Sequence, residues 1–168
     1  MRQFHFIVTK MADALFAVSL VFGFLMMAHV TADVVARTVF NAPLPGTGEI
    51  SASWYMVAVA FLPLGYVTLR DQHVTADIFV SRMSPGRQAM VEVLTDLLSM
   101  AYLTAFVWQT WESAMKNTKR GEVWEILGGY LPIWPVRWFL PAAGVVMLLA
   151  FLSRLLSRAT ERNLQTRN

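Results

Sequence analysis

ALFAVSLVFGFLMMAHVTA, residues 14–32, runs between Asp13 and Asp33 with His29 as its only ionisable side chain. A helix needs roughly 20 largely apolar residues to cross the hydrocarbon core of a bilayer, and this run supplies them. Three further runs follow. ISASWYMVAVAFLPLGYVTL, residues 50–69, lies between Glu49 and Arg70 and carries no charge. LLSMAYLTAFVWQTW, residues 97–111, is short, so its helix is expected to begin near Ala89 and to include Glu92 and Asp96. WFLPAAGVVMLLAFLS, residues 138–153, is expected to begin earlier, near Pro132. The reading is an all-α integral membrane protein, a single domain over residues 1–168, with four transmembrane helices at about 13–36, 49–69, 89–111 and 132–153. Pro63 and Pro141 inside the second and fourth spans read as kinks, which membrane helices tolerate because neighbouring groups satisfy the freed carbonyl. Arg2, Lys10 and the small residues Val30-Thr31-Ala32 give the first run some likeness to a cleaved leader. It exceeds the roughly 7–15-residue apolar core of such leaders, however, and is expected to be retained.

Composition agrees with this reading. Of the 168 residues, 56% are hydrophobic and 15% charged, whereas soluble domains carry about 25% charge. There is no cysteine, which excludes disulfides and thiolate metal sites. A net charge of +3 is too small and too scattered to suggest nucleic acid. On a membrane protein, basic residues act as topology signals.

Those signals favour both termini inside. With the N-terminus in the cytoplasm, the inner segments hold Arg2, Lys10, Arg70, Arg82, Arg87, Arg154, Arg158, Arg162 and Arg167, nine of the 14 basic residues. The outer segments hold Arg37, Lys116, Lys119, Arg120 and Arg137. All six tryptophans then fall at the outer surface: Trp54, Trp108, Trp111, Trp124, Trp134 and Trp138. Aromatic belts normally mark both interfaces, so a one-sided belt raises the expectation that part of it, Trp124 and Trp134 in particular, packs against a partner.

The connections carry the remaining candidates. In RTVFNAPLPGTGEIS, residues 37–51, two prolines and two glycines make a tight outer turn. Thr47 is positioned to cap the next helix, and Glu49 sits in its first turn, where the helix dipole favours a carboxylate. Arg37 and Glu49 flank the turn and are candidates to pair. In RDQHVTADIFVSRMSPGR, residues 70–87, Val74, Ile78 and Phe79 share one side, which predicts a short amphipathic helix at about 74–83 lying in the inner interface. Glu92 and Asp96 follow at i,i+4 spacing. Acids at membrane depth are costly and usually paired, so Asp96 is expected to pair with Arg70 or another basic residue of this loop. The third loop is expected to hold an interfacial turn around Val123 to Leu127. The tail 154–168 is basic and is expected to project into the cytoplasm, along anionic lipid.

No phosphate-binding loop, zinc motif or paired-cysteine motif is present, and no cofactor, catalytic residue, metal site or substrate-binding residue is expected. A haem held between helices needs two histidines at similar depth. His5 precedes the first span, His73 sits at an inner edge, and only His29 lies within a span. It reads as a packing residue hydrogen-bonded to a neighbouring helix. Carriers place ionisable groups or broken helices near the midplane, whereas the middles of these spans are apolar. The chain therefore reads as a supporting subunit for a larger partner that carries the substrate path.

The order of these features resembles the DctQ family, the small membrane subunits of tripartite ATP-independent periplasmic (TRAP) transporters, over roughly Lys10 to Ser157. The resemblance is carried by Arg37 and Phe40, then Gly48-Glu49-Ile50, Trp54-Tyr55, Leu64-Gly65, Arg70, His73-Val74, Asp77 and Ser84-Pro85. The family often has a second acid beside the glutamate and a tryptophan soon after. Here Ile50 follows Glu49 and Trp54 lies slightly further on, which weakens a binding role for the acid. The resemblance implies a non-enzymatic scaffold in the bacterial inner membrane that braces a large permease subunit. It also implies a periplasmic binding protein that delivers an organic acid, imported as symport down an ion gradient. Arg37, Glu49, Arg70, His73 and Asp77 would then fix helix ends and loop geometry. A respiratory-enzyme membrane anchor and a stand-alone exporter are the alternatives.

Overall fold

The structure, a computed structural model, describes residues 2–70, 84–126 and 129–165. His73 and Asp77, and the expected interfacial helix over 74–83, lie outside the described residues. Helix α1 (Arg2–Val39) is followed by a composite second span built from α2 (Thr47–Ile50), a π-helical turn (Ser51–Tyr55), α3 (Met56–Phe61) and α4 (Leu64–Leu69). Then come α5 (Pro85–Arg120), an antiparallel hairpin of β1 (Val123–Ile126) and β2 (Gly129–Pro132), a 3-10 turn (Val136–Trp138) and α6 (Phe139–Gln165). Four of these helical paths are long and apolar enough to cross a membrane: Gln3–Val39, Thr47–Leu69, Gly86–Arg120 and Val136–Ser153. At 1.5 Å rise per residue, α1 and α5 are each over about 50 Å long, well beyond a hydrocarbon core of about 30 Å.

Each long helix buries a seam with alternating spacings of three and four residues, the pattern that keeps one stripe against a neighbour in left-handed packing. On α1 the seam is Val8, Ala12, Leu15, Ser19, Phe22, Met26, His29 and Asp33. On α5 it is Asp96, Ser99, Leu103, Phe106, Thr110, Ser113 and Asn117. Helix α6 differs, because it is the most shielded of the four. In its most apolar window 44% of residues are buried, against 6% for α1, 22% for the second span and 12% for α5. It packs on α1, on α3 and α4, and on α5, while α1 also packs along the second span. The arrangement is thus a layer organised around α6, not a closed bundle of four equivalent helices.

Two glycines permit the close approaches. A Cβ on Gly65 of α4 would sit 2.7 Å from Val146 Cγ1, and one on Gly144 of α6 would sit 2.6 Å from Val107 Cγ2. The buried apolar core includes a cluster of Ala58, Leu62 and Ala143, with Leu15, Phe22, Phe61 and Phe139 packed against it. Without a hydrophobic drive between helices in lipid, association depends on this kind of backbone approach and on interhelical hydrogen bonds. His29 Nδ1 and Tyr55 Oη, 3.1 Å apart, tie α1 to the π-helical turn. His5 Nδ1 and Ser153 Oγ, 2.9 Å apart, tie the first turns of α1 to α6 at the other end.

The prolines act differently from one another. Pro63 breaks the second span between α3 and α4, because it cannot donate to the Val59 carbonyl. Pro141 lies in the first turn of α6, where an N–H has no intrahelical acceptor, so it costs the helix little. The third connection differs from the expectation of an interfacial turn. Val123, Trp124, Ile126, Tyr130 and Leu131 suit a pleated surface, and they pair Val123 with Pro132 and Ile126 with Gly129. Pro132 therefore ends a strand, and the fourth helical path begins at Val136.

Gly65→Ala and Gly144→Ala are each expected to lower stability by about 1–3 kcal/mol through overpacking. Gly86→Ala, where an added Cβ meets nothing within 4 Å, is expected to have no such effect. Thermal unfolding of the three variants in one detergent checks this; equal shifts would remove the close-packing account.

Candidate functional site

The polar and aromatic groups with the most specific geometry gather at one end of the layer. Two assemblies make up this tryptophan-rich end. The first is built on Asp33, in the last turns of α1 and only 6% exposed. Its Oδ2 accepts from Arg37 Nη2 at 2.9 Å, one helical turn on, and its Oδ1 accepts the Leu44 backbone N–H at 2.8 Å. One carboxylate thus holds both the helix end and the loop that leaves it. The loop continues through Gly46 at φ 77, a left-handed conformation that glycine adopts without strain. Thr47 Oγ1 donates to the Leu44 carbonyl at 3.2 Å.

Two sequence expectations are corrected here. Arg37 pairs with Asp33 and not with Glu49, because Asp33 lies i,i+4 from it on the same helix and is buried, whereas Glu49 is exposed in the first turn of α2. The residue preceding α2 is Gly46, and Thr47, the first helical residue, makes no side-chain cap.

The second assembly closes the hairpin onto the helix ends. Helix α5 stops at Gly121, φ 61, with the Gly121 and Glu122 N–H groups donating back to Thr118 and Asn117 carbonyls, a glycine-terminated helix end. The Glu122 carbonyl then accepts the N–H groups of Ile133 and Trp134, at 3.0 and 3.3 Å. Its carboxylate takes a two-pronged bond from Arg137, Nε at 2.8 Å and Nη2 at 2.6 Å. The Arg137 guanidinium holds the Glu122 carboxyl below its ordinary value of 4.5. Trp54 Nε1 donates to the Pro132 carbonyl at 3.2 Å, joining the second span to β2. Trp138 Nε1 donates to Thr118 Oγ1 at 3.0 Å, and its ring meets Trp111 edge-on with centroids 5.1 Å apart. Ile126 of β1 packs over Gly46, so the hairpin lies across the loop that the Asp33 assembly holds.

The structure therefore brings Arg37, Trp54 and Trp134 into one connected end, together with Trp124, which is 42% exposed on β1. Asp96 sits apart, buried in the α5 seam, and Arg70 at the far end of the second span lies over the Tyr66 ring at 5.0 Å. Sequence reasoning missed Asp33, although its spacing of four to Arg37 on a helix was a readable signal. It also missed the Glu122–Arg137 pair, which no local spacing announces, since only hairpin closure brings the two together. Among the described residues, no group of three or more His, Cys, Asp or Glu side chains gathers to hold a metal ion. The chemistry available at this end is that of fastening and docking.

These features define a polytopic helical membrane protein whose specific contacts lie at helix ends and connections. The family model described as "Tripartite ATP-independent periplasmic transporters, DctQ component" matches residues 26–161, most of the chain. The chain belongs to this family, and is thereby a small membrane subunit of a TRAP transporter. It has no significant match among curated proteins.

The depressed Glu122 carboxyl contributes stability that is in place above about pH 4.5 and fades as the pH falls through its lower folded-state value. The pair is partly solvated, so the contribution is at most about 1 kcal/mol. Glu122→Gln is expected to lower the melting temperature slightly at pH 7 and to match the unsubstituted protein at strongly acidic pH; a difference that persists undiminished in acid would contradict this.

Proposed function

We propose that the chain is the fixed scaffold subunit of a secondary importer of an organic acid, without enzymatic activity of its own. It sits in a bacterial inner membrane with both termini in the cytoplasm and the tryptophan-rich end in the periplasm. Its partners are a large permease subunit, a periplasmic binding protein and the surrounding lipid, and import is driven by an ion gradient. Arg37, Glu49, Trp54, Arg70, His73, Asp77, Asp96, Trp124 and Trp134 serve geometry and assembly, not substrate binding.

The observation that supports this most is where the inward polar groups are engaged, Ser51 Oγ being the buried one among the described residues that has no partner. Ser19 bonds the Phe16 carbonyl, His29 bonds Tyr55, Ser53 bonds the Glu49 carbonyl and Thr68 bonds the Leu64 carbonyl. Groups already satisfied within the chain are poorly suited to bind and release a passing anion, which must exchange its hydration for protein contacts. The open layer around α6 agrees, since three of the four spans offer broad apolar surface to neighbours. The respiratory-anchor alternative is not favoured, because His29, well inside the first span, is engaged with Tyr55.

A tag on the C-terminal tail, purification from native membranes and mass spectrometry test the reading. A stoichiometric, much larger multi-spanning partner is expected. Recovery of the chain alone, or with a redox enzyme, would overturn the proposal.

A further inference from the structure

Helix α5 carries a second stripe with spacings of three and four, about 100° round the helix from the seam that meets α6: Thr95, Leu98, Tyr102, Ala105 and Gln109. All five are exposed. Tyr102 is the unusual member, 71% exposed with its hydroxyl hydrogen-bonded to nothing among the described residues. It lies about 14 Å along the axis from Trp111 and about 22 Å from Arg87. With a hydrocarbon core of about 30 Å, that places Tyr102 deep in the membrane. Helical side chains lean toward the helix N-terminus, here away from the nearer, tryptophan-marked boundary, and a tyrosine is too short to reach either boundary.

Lipid tails offer the phenol no acceptor, and a polar group stranded in hydrocarbon is costly. Of the two other tyrosines of the spans, Tyr55 shares its hydroxyl with His29, and Tyr66, next to the charged end of the second span, is held through its ring by Phe16 and Arg70. The surface of α1 at the same depths provides the contrast. Its exposed positions Val18, Val21, Phe24, Leu25 and Met27 are purely apolar, as a lipid-facing helix requires. On α5 the exposed face carries Leu94, Leu97 and Leu98 too, but it sets the polar side chains of Thr95, Tyr102 and Gln109 among them, and Ala101 and Ala105 beside Tyr102 leave room for a backbone to come close. Small residues with interspersed hydrogen-bonding groups are the composition of helix–helix contacts in membranes.

We infer that the Thr95–Leu98–Tyr102–Ala105–Gln109 stripe of α5 is an intramembrane docking face for a helix of the large permease subunit, which presents a hydrogen-bond acceptor to the Tyr102 hydroxyl. The complementarity is one of polarity: the donor in hydrocarbon calls for an acceptor at the same depth, which a protein helix supplies and lipid tails do not. The inference rests on the scaffold reading and adds the surface through which it works.

Because the chain has no cysteine, single cysteines can be placed without background. A benzophenone attached at Leu98→Cys or Ala105→Cys is expected to cross-link, in native membranes, to the large co-purifying protein. The same probe at Val21→Cys or Leu25→Cys of α1 is expected to yield lipid adducts. Tyr102→Phe, which removes only the hydroxyl, is expected to reduce recovery of the large subunit several-fold in detergent without lowering the melting temperature of the isolated chain. If the large subunit co-purifies but cross-links from α1 and not from α5, the scaffold reading survives and this face is wrong. Adducts from α5 with lipid alone, or with a second copy of the chain, would likewise overturn the inference, as would full recovery with Tyr102→Phe. If no large membrane protein co-purifies at all, the scaffold reading fails and the inference with it.

Discussion

Helix α6 must touch three spans at once, and this single packing constraint organises the rest of the molecule. Lipid chains compete with side chains for apolar contact, so helices gain by approaching more closely than lipid can. Gly65 brings α4 against Val146 and Gly144 brings α6 against Val107. Positions 144 and 146 lie on well-separated faces of α6, so one helix grips two neighbours by the same device. The first span then needs only one seam, along α6 and the second span, and α5 needs only one, along α6. Both keep most of their circumference free.

The polar interactions secure the ends of what α6 holds together. At the tryptophan-rich end, Asp33 fixes the loop after α1, the loop carries Gly46 under Ile126, and Glu122 and Arg137 shut the hairpin above it. At the other end His5 meets Ser153. None of these contacts crosses the middle of the membrane, where aromatic and aliphatic packing takes over: Phe16 stacks on Tyr66 with centroids 4.3 Å apart, and Phe22 meets Phe139 edge-on at 5.5 Å. A subunit fastened at its ends and packed through its centre is suited to stand still while a neighbour moves. That suits the proposed scaffold role in a TRAP transporter, the class of complex to which the family belongs.

Much of this was legible in the residues alone. Four apolar runs and a sparse charge pattern lead directly to four membrane-crossing helices, because the length of such a helix is set by the bilayer. The sequence of signposts from Arg37 to Ser84-Pro85 pointed to the family. What escaped was contact between distant segments and the local choice between similar partners. Arg37 had two acids within reach, and proximity along a helix favoured Asp33 over Glu49. The stretch from Val123 to Pro132 mixes β-branched, aromatic and glycine residues with charges, and its short apolar pattern does not distinguish a strand from an interfacial turn. The importance of Gly65 and Gly144 depends on what lies opposite them, which no periodicity in one helix reveals.

The central claim, that α5 is attached to the rest of the chain through α6, has a direct measurement. Pairs of spin labels on single cysteines, Val18 with Leu98 across α1 and α5, and Val18 with Met56 across α1 and the second span, report two distances by pulsed electron resonance. In a Gly144→Val background, the added side chain wedges against Val107. The account predicts that the Val18–Leu98 distribution broadens or shifts while the Val18–Met56 distribution stays as it was. Both distributions unchanged, or both broadened together, would contradict it.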